Sequence, residues 1–371
     1  METSVKPPFS VPLVDISAYV AGGTSDARRV VATQLEHACR TVGFIQIRGH
    51  GIADATIDGL ASAMDAFFAQ PLEWKRSYRM PPEINRGYTP PLGESLALTL
   101  GLDSAASLKD YFEAFNIGVP ADTYPGLDLP RDIYAGNPWP ACDGDFDGPR
   151  FRSAVESYFA EAGRVARTLC RIFADALGVD PELFASVTDH SADVLRMINY
   201  ALAPGSVAGD ADPLGMGAHT DYGIVTVLWA DRVPGLQVLS PDGLWQDVQP
   251  AEGALLVNLG DLTARWTNDR WLSTLHRVKP PVVDGTIKRR RSAAFFHDGN
   301  ADAVIETLPS HLDYDPGLAY EPITVRDHIK AKLQGSRQGK KNTAAVREAQ
   351  RVLAAMKASA TEEPATLRDH T

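Results

Sequence analysis

Val194-Leu195-Arg196-Met197-Ile198-Asn199-Tyr200 opens the part of the chain whose grammar decides the fold. Short apolar and β-branched runs follow it at Ile224–Trp229, Leu236–Leu239, Trp245–Val248, Ala254–Leu259, Leu275–Val278 and Ser292–Phe296. Turn signals separate them, among them Ala203-Pro204-Gly205, Val233-Pro234-Gly235, Pro241-Asp242-Gly243 and Asp284-Gly285. Proline and glycine interrupt a hydrogen-bonded ladder, so each run reads as a strand. Many short strands at this spacing predict a β-sandwich or jelly roll.

On the N-terminal side of this region lies a helical stripe over Phe151–Leu177, built on Val155, Tyr158, Phe159, Ala162, Val165, Ala166, Leu169, Ile172, Phe173 and Ala176 and ended by Gly178. Its continuity predicts a helix that packs against a sheet. Earlier still, residues 11–15 read as a strand, a helix runs from Ser25 to Gly43, and Phe44-Ile45-Gln46-Ile47 reads as a strand. A second amphipathic helix carries Ile57, Leu60, Ala61, Met64, Phe67 and Phe68 and stops before Pro71. The Pro- and Gly-rich stretch from Pro81 to Gly101 predicts an irregular crossing, followed by a helix and loop from Leu98 to Phe115. Residues 335–371 predict a helical tail, with a helix over Thr343–Ala358.

Of 371 residues, 44% are hydrophobic and 22% charged, which excludes the disordered and collagen-like classes. Lys and Arg number 36 against 47 Asp and Glu, a net charge of −11 that repels phosphate backbones and anionic lipid surfaces. Nucleic acid and membrane are therefore not expected as partners, and no obligate protein partner is evident. Cys39, Cys142 and Cys170 show no C-x-x-C spacing and cannot all pair, which argues against a disulfide framework or zinc knuckle. With no long apolar run and no signal-peptide layout, the expected location is cytoplasmic.

Chemistry concentrates in Ala218-His219-Thr220-Asp221-Tyr222-Gly223 and, much later, Ser273-Thr274-Leu275-His276-Arg277-Val278. Side chains at i and i+2 of a strand share a face, so His219 and Asp221 can enter one cavity where a later strand brings His276. Two imidazoles and one carboxylate on one face of an octahedron leave three positions open, the arrangement that suits Fe(II) in oxygenases. Taken alone, His-x-Asp is common, and a strand histidine is more often a hydrogen-bonded core residue. The run Lys288-Arg289-Arg290-Arg291-Ser292-Ala293-Ala294-Phe295-Phe296 strengthens the metal reading. Arg290 and Ser292 face the same way, and a buried guanidinium without a carboxylate partner suits a bidentate carboxylate. Alternation leaves Arg289 and Arg291 as a solvated strand end.

Together these segments resemble the isopenicillin N synthase-like branch of the Fe(II)/2-oxoglutarate-dependent dioxygenases. The resemblance also rests on Gly43-Phe44-Ile45-Gln46-Ile47, Gly49-His50-Gly51-Ile52, Arg86-Gly87-Tyr88, Asp110-Tyr111-Phe112-Glu113-Ala114-Phe115, Gly235-Leu236-Gln237-Val238 and Asn258-Leu259-Gly260-Asp261, in that order. It implies an α+β fold, mainly β with helices: a distorted double-stranded β-helix (jelly-roll) core flanked by N-terminal and C-terminal helices. The division it suggests is an N-terminal non-haem dioxygenase region over 1–120, a linker and long supporting helix over 121–190, the jelly-roll core over 191–300 and a C-terminal helical region and tail over 301–371.

The same resemblance places His219, Asp221 and His276 on the iron ligands and Arg290 and Ser292 on the pair that binds the 2-oxoglutarate C5 carboxylate. Asn199 and Tyr200 fall near the co-substrate, Tyr200 as hydrogen-bond donor. It implies Fe(II), 2-oxoglutarate and O₂ as cofactor and co-substrates, with ascorbate as an added reductant. The implied reaction oxidises an unactivated C–H bond of a small molecule and releases succinate and CO₂. Hydroxylation is the expected outcome, with desaturation and cyclisation as variants. Activity is expected to fall as pH drops toward the histidine value of about 6.5. Phe112, Phe115, Trp266, Phe296 and His297 are candidate substrate-lining residues. Two other readings remain open at this point: an iron oxidase or cyclase that needs no 2-oxoglutarate, and a non-catalytic jelly-roll binder.

Overall fold

The computed structural model describes residues 9–100, 110–200, 215–279, 282–283, 286–314, 319–340, 342 and 350. The strands around the site are β1 (Leu13–Asp15), β2 (Phe44–Arg48), β3 (Gly87–Thr89), β4 (Glu113–Gly118), β5 (Val194–Tyr200), β6 (Met216–His219) and β7 (Val225–Ala230). They continue as β8 (Leu236–Leu239), β9 (Trp245–Asp247), β10 (Leu255–Leu259), β11 (His276–Val278), β12 (Val282–Val283), β13 (Thr286–Ile287) and β14 (Arg290–His297). The order β1-β2-β10-β7-β14-β5-β4-β3 makes an eight-stranded sheet, and β6-β11-β8-β9 a four-stranded one. All neighbours in these two sheets run antiparallel except β1 with β2.

The larger sheet is buried on both faces. One face packs on the long helix Gly148–Leu177, joining Ile45, Leu195, Met197, Val227, Val257 and Phe295 to Tyr158, Ala162, Val165 and Leu169. The other meets the smaller sheet, where Phe44, Ile198, Tyr200 and Leu256 contact Met216, Leu236, Val238 and Val278. These layers form the jelly roll with its helical wrapping. Burial on two faces explains why β5 reads as a nearly continuous apolar run instead of an alternating one.

The long helix begins three residues earlier than its apolar stripe, because the Asp147 carboxylate accepts from Arg150 N at 3.0 Å and Pro149 fits the first turn. Gly178 ends it at φ 66°, a left-handed conformation that glycine adopts without steric penalty. The cysteines Cys39, Cys142 and Cys170 are all unpaired thiols.

Three expectations need correction. The crossing between Pro81 and Gly101 contains β3 and a short 3-10 helix, Leu96–Leu100, since tertiary pairing with β4 overrides the turn-rich composition. Glu113–Gly118 is a strand, so the expected helix and loop does not extend through Phe115. A C-terminal helix lies at Val325–Gln338, capped by Thr324, whose hydroxyl accepts from Asp327 N at 3.0 Å. Its buried stripe includes His328, Lys332 and Ser336, polar residues that hide the helical period in the sequence. The helix expected over Thr343–Ala358 falls almost wholly outside the described residues.

Candidate active site

His219 is the last residue of β6 and pairs directly with His276, the first of β11. Their rings lie 4.2 Å apart, centroid to centroid. Asp221 stands two residues past the end of β6, so it reaches the pair from a loop and not from a shared strand face, as the i, i+2 rule suggested. Its carbonyl accepts from Asp261 N at 2.9 Å, which holds the loop against the segment after β10. Asp221 Oδ1 is 3.7 Å from Nε2 of both His219 and His276. Donors at about 2.1 Å from one ion lie roughly 3 to 4 Å apart, so this spacing fits a shared metal. Among the described residues this is the one group of three His, Cys, Asp or Glu side chains at such spacing.

Surrounding hydrogen bonds orient each donor atom. His219 Nδ1 donates to Gly217 O at 2.8 Å, and His276 Nδ1 donates to Thr274 O at 3.1 Å. A carbonyl only accepts, so both Nδ1 atoms carry the proton and both Nε2 lone pairs face the centre. Asn258 Nδ2, at 2.6 Å, and the Thr226 hydroxyl both donate to Asp221 Oδ2, leaving Oδ1 toward the imidazoles. Burial, then the neighbouring His276, pushes the His219 imidazole well below its ordinary value.

The second feature lies where β14 begins. Arg290 pairs with Tyr200 at the end of β5, is 2% exposed, and sits 5.1 Å from the Tyr200 ring. Its Nη1 lies 3.4 Å from Ser292 Oγ, and its Nε has no hydrogen-bond partner. The flanking arginines point the other way. Arg289 donates to Asn199 Oδ1 at 2.8 Å and meets Asp65 at 2.6 Å, while Arg291 meets Asp65 at 2.8 Å and Asp231. They are ion-paired, not merely solvated. The β12–β13 hairpin before them thus leaves Arg290 as the inward arginine.

One cavity holds the histidines, Asp221, Tyr200, Arg290 and Ser292. Phe296 lines it, and so do Asn85, Arg196, Tyr222, Leu333 and Ser336, which the sequence reading passed over. The remaining candidates do not line it. Asn199 alternates with Tyr200 and turns to the opposite face, donating to Glu113 Oε1 at 2.9 Å. Phe112 packs behind the wall, 6.1 Å from the Tyr200 ring and beneath the Arg196 guanidinium at 4.9 Å. Phe115 stacks into the helical core against Phe67 at 4.5 Å, and Trp266 against Phe184 at 5.1 Å.

His297 shares the Phe295 face, as strand alternation requires. It is fully buried with Nδ1 at 2.8 Å from Asp193 Oδ1, so it is neither a substrate contact nor a surface residue. Burial alone would push its imidazole down, but the Asp193 carboxylate holds it well above its ordinary value.

Arg196 had a readable signal, a charged residue inside an apolar strand at i and i+4 with Tyr200. It is 7% exposed, with Nη2 at 2.8 Å from Glu94 Oε2 and Nε unpartnered. Arg337, from the C-terminal helix, approaches Glu94 Oε1 at 3.0 Å. Desolvation raises the Glu94 carboxyl, but Arg196 and Arg337 outweigh it and hold it at about 2. Glu94 and Arg337 carried no local signal, because only folding brings them together.

A jelly roll that gathers two imidazoles and a carboxylate beside a buried guanidinium fits the chemistry of the non-haem Fe(II) oxygenases. The chain belongs to the 2OG-Fe(II) oxygenase superfamily, whose profile matches residues 192–299. A second profile, described as non-haem dioxygenase in morphine synthesis N-terminal, matches residues 11–142. The 2-oxoglutarate-Fe(II) type oxidoreductase hxnY of Emericella nidulans is 35% identical over 335 residues, 89% of this chain and 91% of the relative. Homoarginine-6-hydroxylase 2-ODD-233 of Oryza sativa subsp. japonica is 30% identical, over 87% of this chain and 96% of its own. The crystal structure of a full-length Neurospora crassa protein in complex with alpha-KG (2-oxoglutarate) and thymine superposes with a TM-score of 0.75 at 30% identity, covering 87% of this chain and 96% of that one.

The protein is accordingly an oxidoreductase that uses Fe(II), 2-oxoglutarate and O₂ to oxidise a small molecule. The non-catalytic binder is set aside. No helix among the described residues is long and apolar enough to cross a membrane.

Proposed function

We propose that His219, Asp221 and His276 hold the Fe(II), that Arg290, Ser292 and Tyr200 hold 2-oxoglutarate, and that the substrate lies between Phe296, Tyr222 and Arg196. When bound, the iron with 2-oxoglutarate and O₂ supplies the oxidising power, releasing succinate and CO₂ as a C–H bond of the substrate is oxidised. The protein's part is placement. Gly217 and Thr274 carbonyls keep the imidazole protons away from the metal side. Asn258 and Thr226 keep Asp221 turned so that one oxygen is free.

Arg290 carries the co-substrate reading. A guanidinium this deeply buried, with no carboxylate partner among the described residues, is poised for the distal carboxylate of a keto-diacid. The apolar walls Leu96, Ile198, Leu228 and Leu333 exclude water, which confines the oxidation to the bound substrate.

For the substrate, the free edge of Arg196 favours a compact molecule that presents a carbonyl or carboxylate oxygen. Thymine, bound by the Neurospora crassa neighbour, is a carbonyl-bearing ring of that general kind. The reaction favoured is hydroxylation.

The test is spectroscopic. Anaerobic Fe(II) enzyme titrated with 2-oxoglutarate should develop the weak visible charge-transfer band of the chelate, and His219→Ala should abolish it. Absence of the band in the intact, iron-loaded chain would refute the assignment. A panel of small carbonyl and carboxylate compounds scored by succinate release then narrows the substrate.

A further inference from the structure

Behind the three metal-directed side chains stands a carboxylate that touches none of the reacting atoms. Asp261 is 1% exposed and its Oδ1 accepts from Ser273 Oγ at 2.8 Å, three residues before His276. Its Oδ2 accepts from Thr220 Oγ1 at 3.2 Å, the residue between His219 and Asp221. Its backbone N–H donates to the carbonyl of Asp221 at 2.9 Å. One residue therefore ties together both segments that carry the ligands.

The charge of Asp261 is balanced from elsewhere in the chain. Lys332, on the C-terminal helix, is wholly buried, with Nζ 2.7 Å from Asp261 Oδ2 and 3.3 Å from Thr220 Oγ1. His328, one turn earlier, places Nε2 3.6 Å from the same oxygen. The same helix presents Ile329, Leu333 and Ser336 to the cavity. A buried ion pair is seldom more stabilising than well-packed apolar side chains, and breaking one by removing a single partner leaves a costly uncompensated charge. Anchoring this helix by packing alone needed only another leucine.

We propose that Lys332 is a positioning residue for the metal centre. Its ammonium neutralises the carboxylate that spaces His219, Asp221 and His276, so metal binding and the seating of the C-terminal helix over the cavity form one coupled equilibrium. The inference rests on the metal assignment above and adds to it an element remote from the ligands in sequence. Coupling of this kind is reciprocal: if the seated helix tightens the metal site, the metal must steady the helix.

The experiment uses the full chain without oxygen, with Fe(II) alone as probe. Equilibrium dialysis should show Fe(II) affinity weakened about tenfold or more in Lys332→Met, the scale of lost outer-shell support. Removing both charges in Asp261→Asn/Lys332→Met should be less damaging than the two single effects combined, as expected for groups acting on one another. Leu60→Ala, in the N-terminal helical core and outside both the cavity and the C-terminal helix, should lower the unfolding temperature while leaving Fe(II) affinity within about twofold. In the wild type, Fe(II) should slow hydrogen exchange of the amides at 329–336 by about fivefold or more.

Wild-type affinity in Lys332→Met, an equal loss in Leu60→Ala, or helix exchange indifferent to Fe(II) would overturn the proposal and leave the metal assignment standing. If the wild type binds no Fe(II), both fall. Should Lys332→Met fail to fold, the exchange measurement on the wild type decides alone.

Discussion

Two buried guanidiniums share one cavity and differ in their company. Among the described residues, Arg290 has a hydroxyl and an aromatic ring beside it and no carboxylate, whereas Arg196 is paired with Glu94. Both come from the inward face of the β5–β14 pair, where Arg290 lies opposite Tyr200 and Arg196 opposite Ala294. A cation buried without a counter-charge is strongly unfavourable until an anion arrives, so the Arg290 end should take a full negative charge. Arg196 already has its neutralising partner, so its unused donor can serve a polar oxygen without demanding a charge. On the proposed reading, the same residue type supplies affinity at one end and orientation at the other.

The largest expected effect strikes the Arg196 end. Glu94→Gln leaves Arg196 and Arg337 without their shared carboxylate and should lower unfolding free energy by about 3 to 5 kcal/mol, measured by denaturant titration. The pH dependence has a definite sign. In the fold the Glu94 carboxyl sits at about 2, below its ordinary 4.5, so its stabilising contribution is complete above 4.5 and is lost as pH falls toward 2. The Gln variant should lack that acid-side loss. If it keeps wild-type stability and acid sensitivity, the contrast between the two arginines fails.

Next in size is Arg290→Met, which removes the proposed anchor for the co-substrate. Loss of a buried charge-assisted contact of about 2 to 5 kcal/mol should raise KM for 2-oxoglutarate about thirtyfold or more, with Fe(II) affinity unchanged. Arg196→Met should do the converse, raising the substrate KM by about tenfold to a hundredfold, or about 1.5 to 3 kcal/mol, without moving KM for 2-oxoglutarate. Steady-state kinetics with the compound chosen by the succinate panel separates the two, and a mixed response in either variant would blur the division of labour. Smallest is Asp65→Asn, which loosens Arg289 and Arg291 on the outer face. Asp65 is about half exposed, so stability should change by less than about 1 kcal/mol and KM for 2-oxoglutarate by less than about threefold.

Legibility followed locality. The long helix, the strands from Val194 onward and the inward face of Arg290 could be read because period, turn residues and alternation act within a few positions. The strand Glu113–Gly118 could not, since both its faces are buried and it shows no alternation. Phe115, Trp266 and His297 looked like cavity residues because an aromatic or imidazole in an apolar segment is equally suited to a core, and only the direction of its neighbours decides. The C-terminal helix was obscured because its buried stripe includes a lysine and a histidine, both turned toward Asp261.

Legible in the chain alone were the long helix, most core strands and the chemical identity of the site: two histidines and an aspartate that can share a metal, and an Arg-x-Ser that can share an anion. These depend on residue type and short spacing, which the chain carries wherever it goes. Only the tertiary structure decided which side chains complete the cavity and what holds the ligands in place. Asn258, Thr226, Glu94, Asp261 and Lys332 act through contacts between segments far apart in the chain, and a buried charge discloses its partner only after packing has removed the water that would otherwise solvate it.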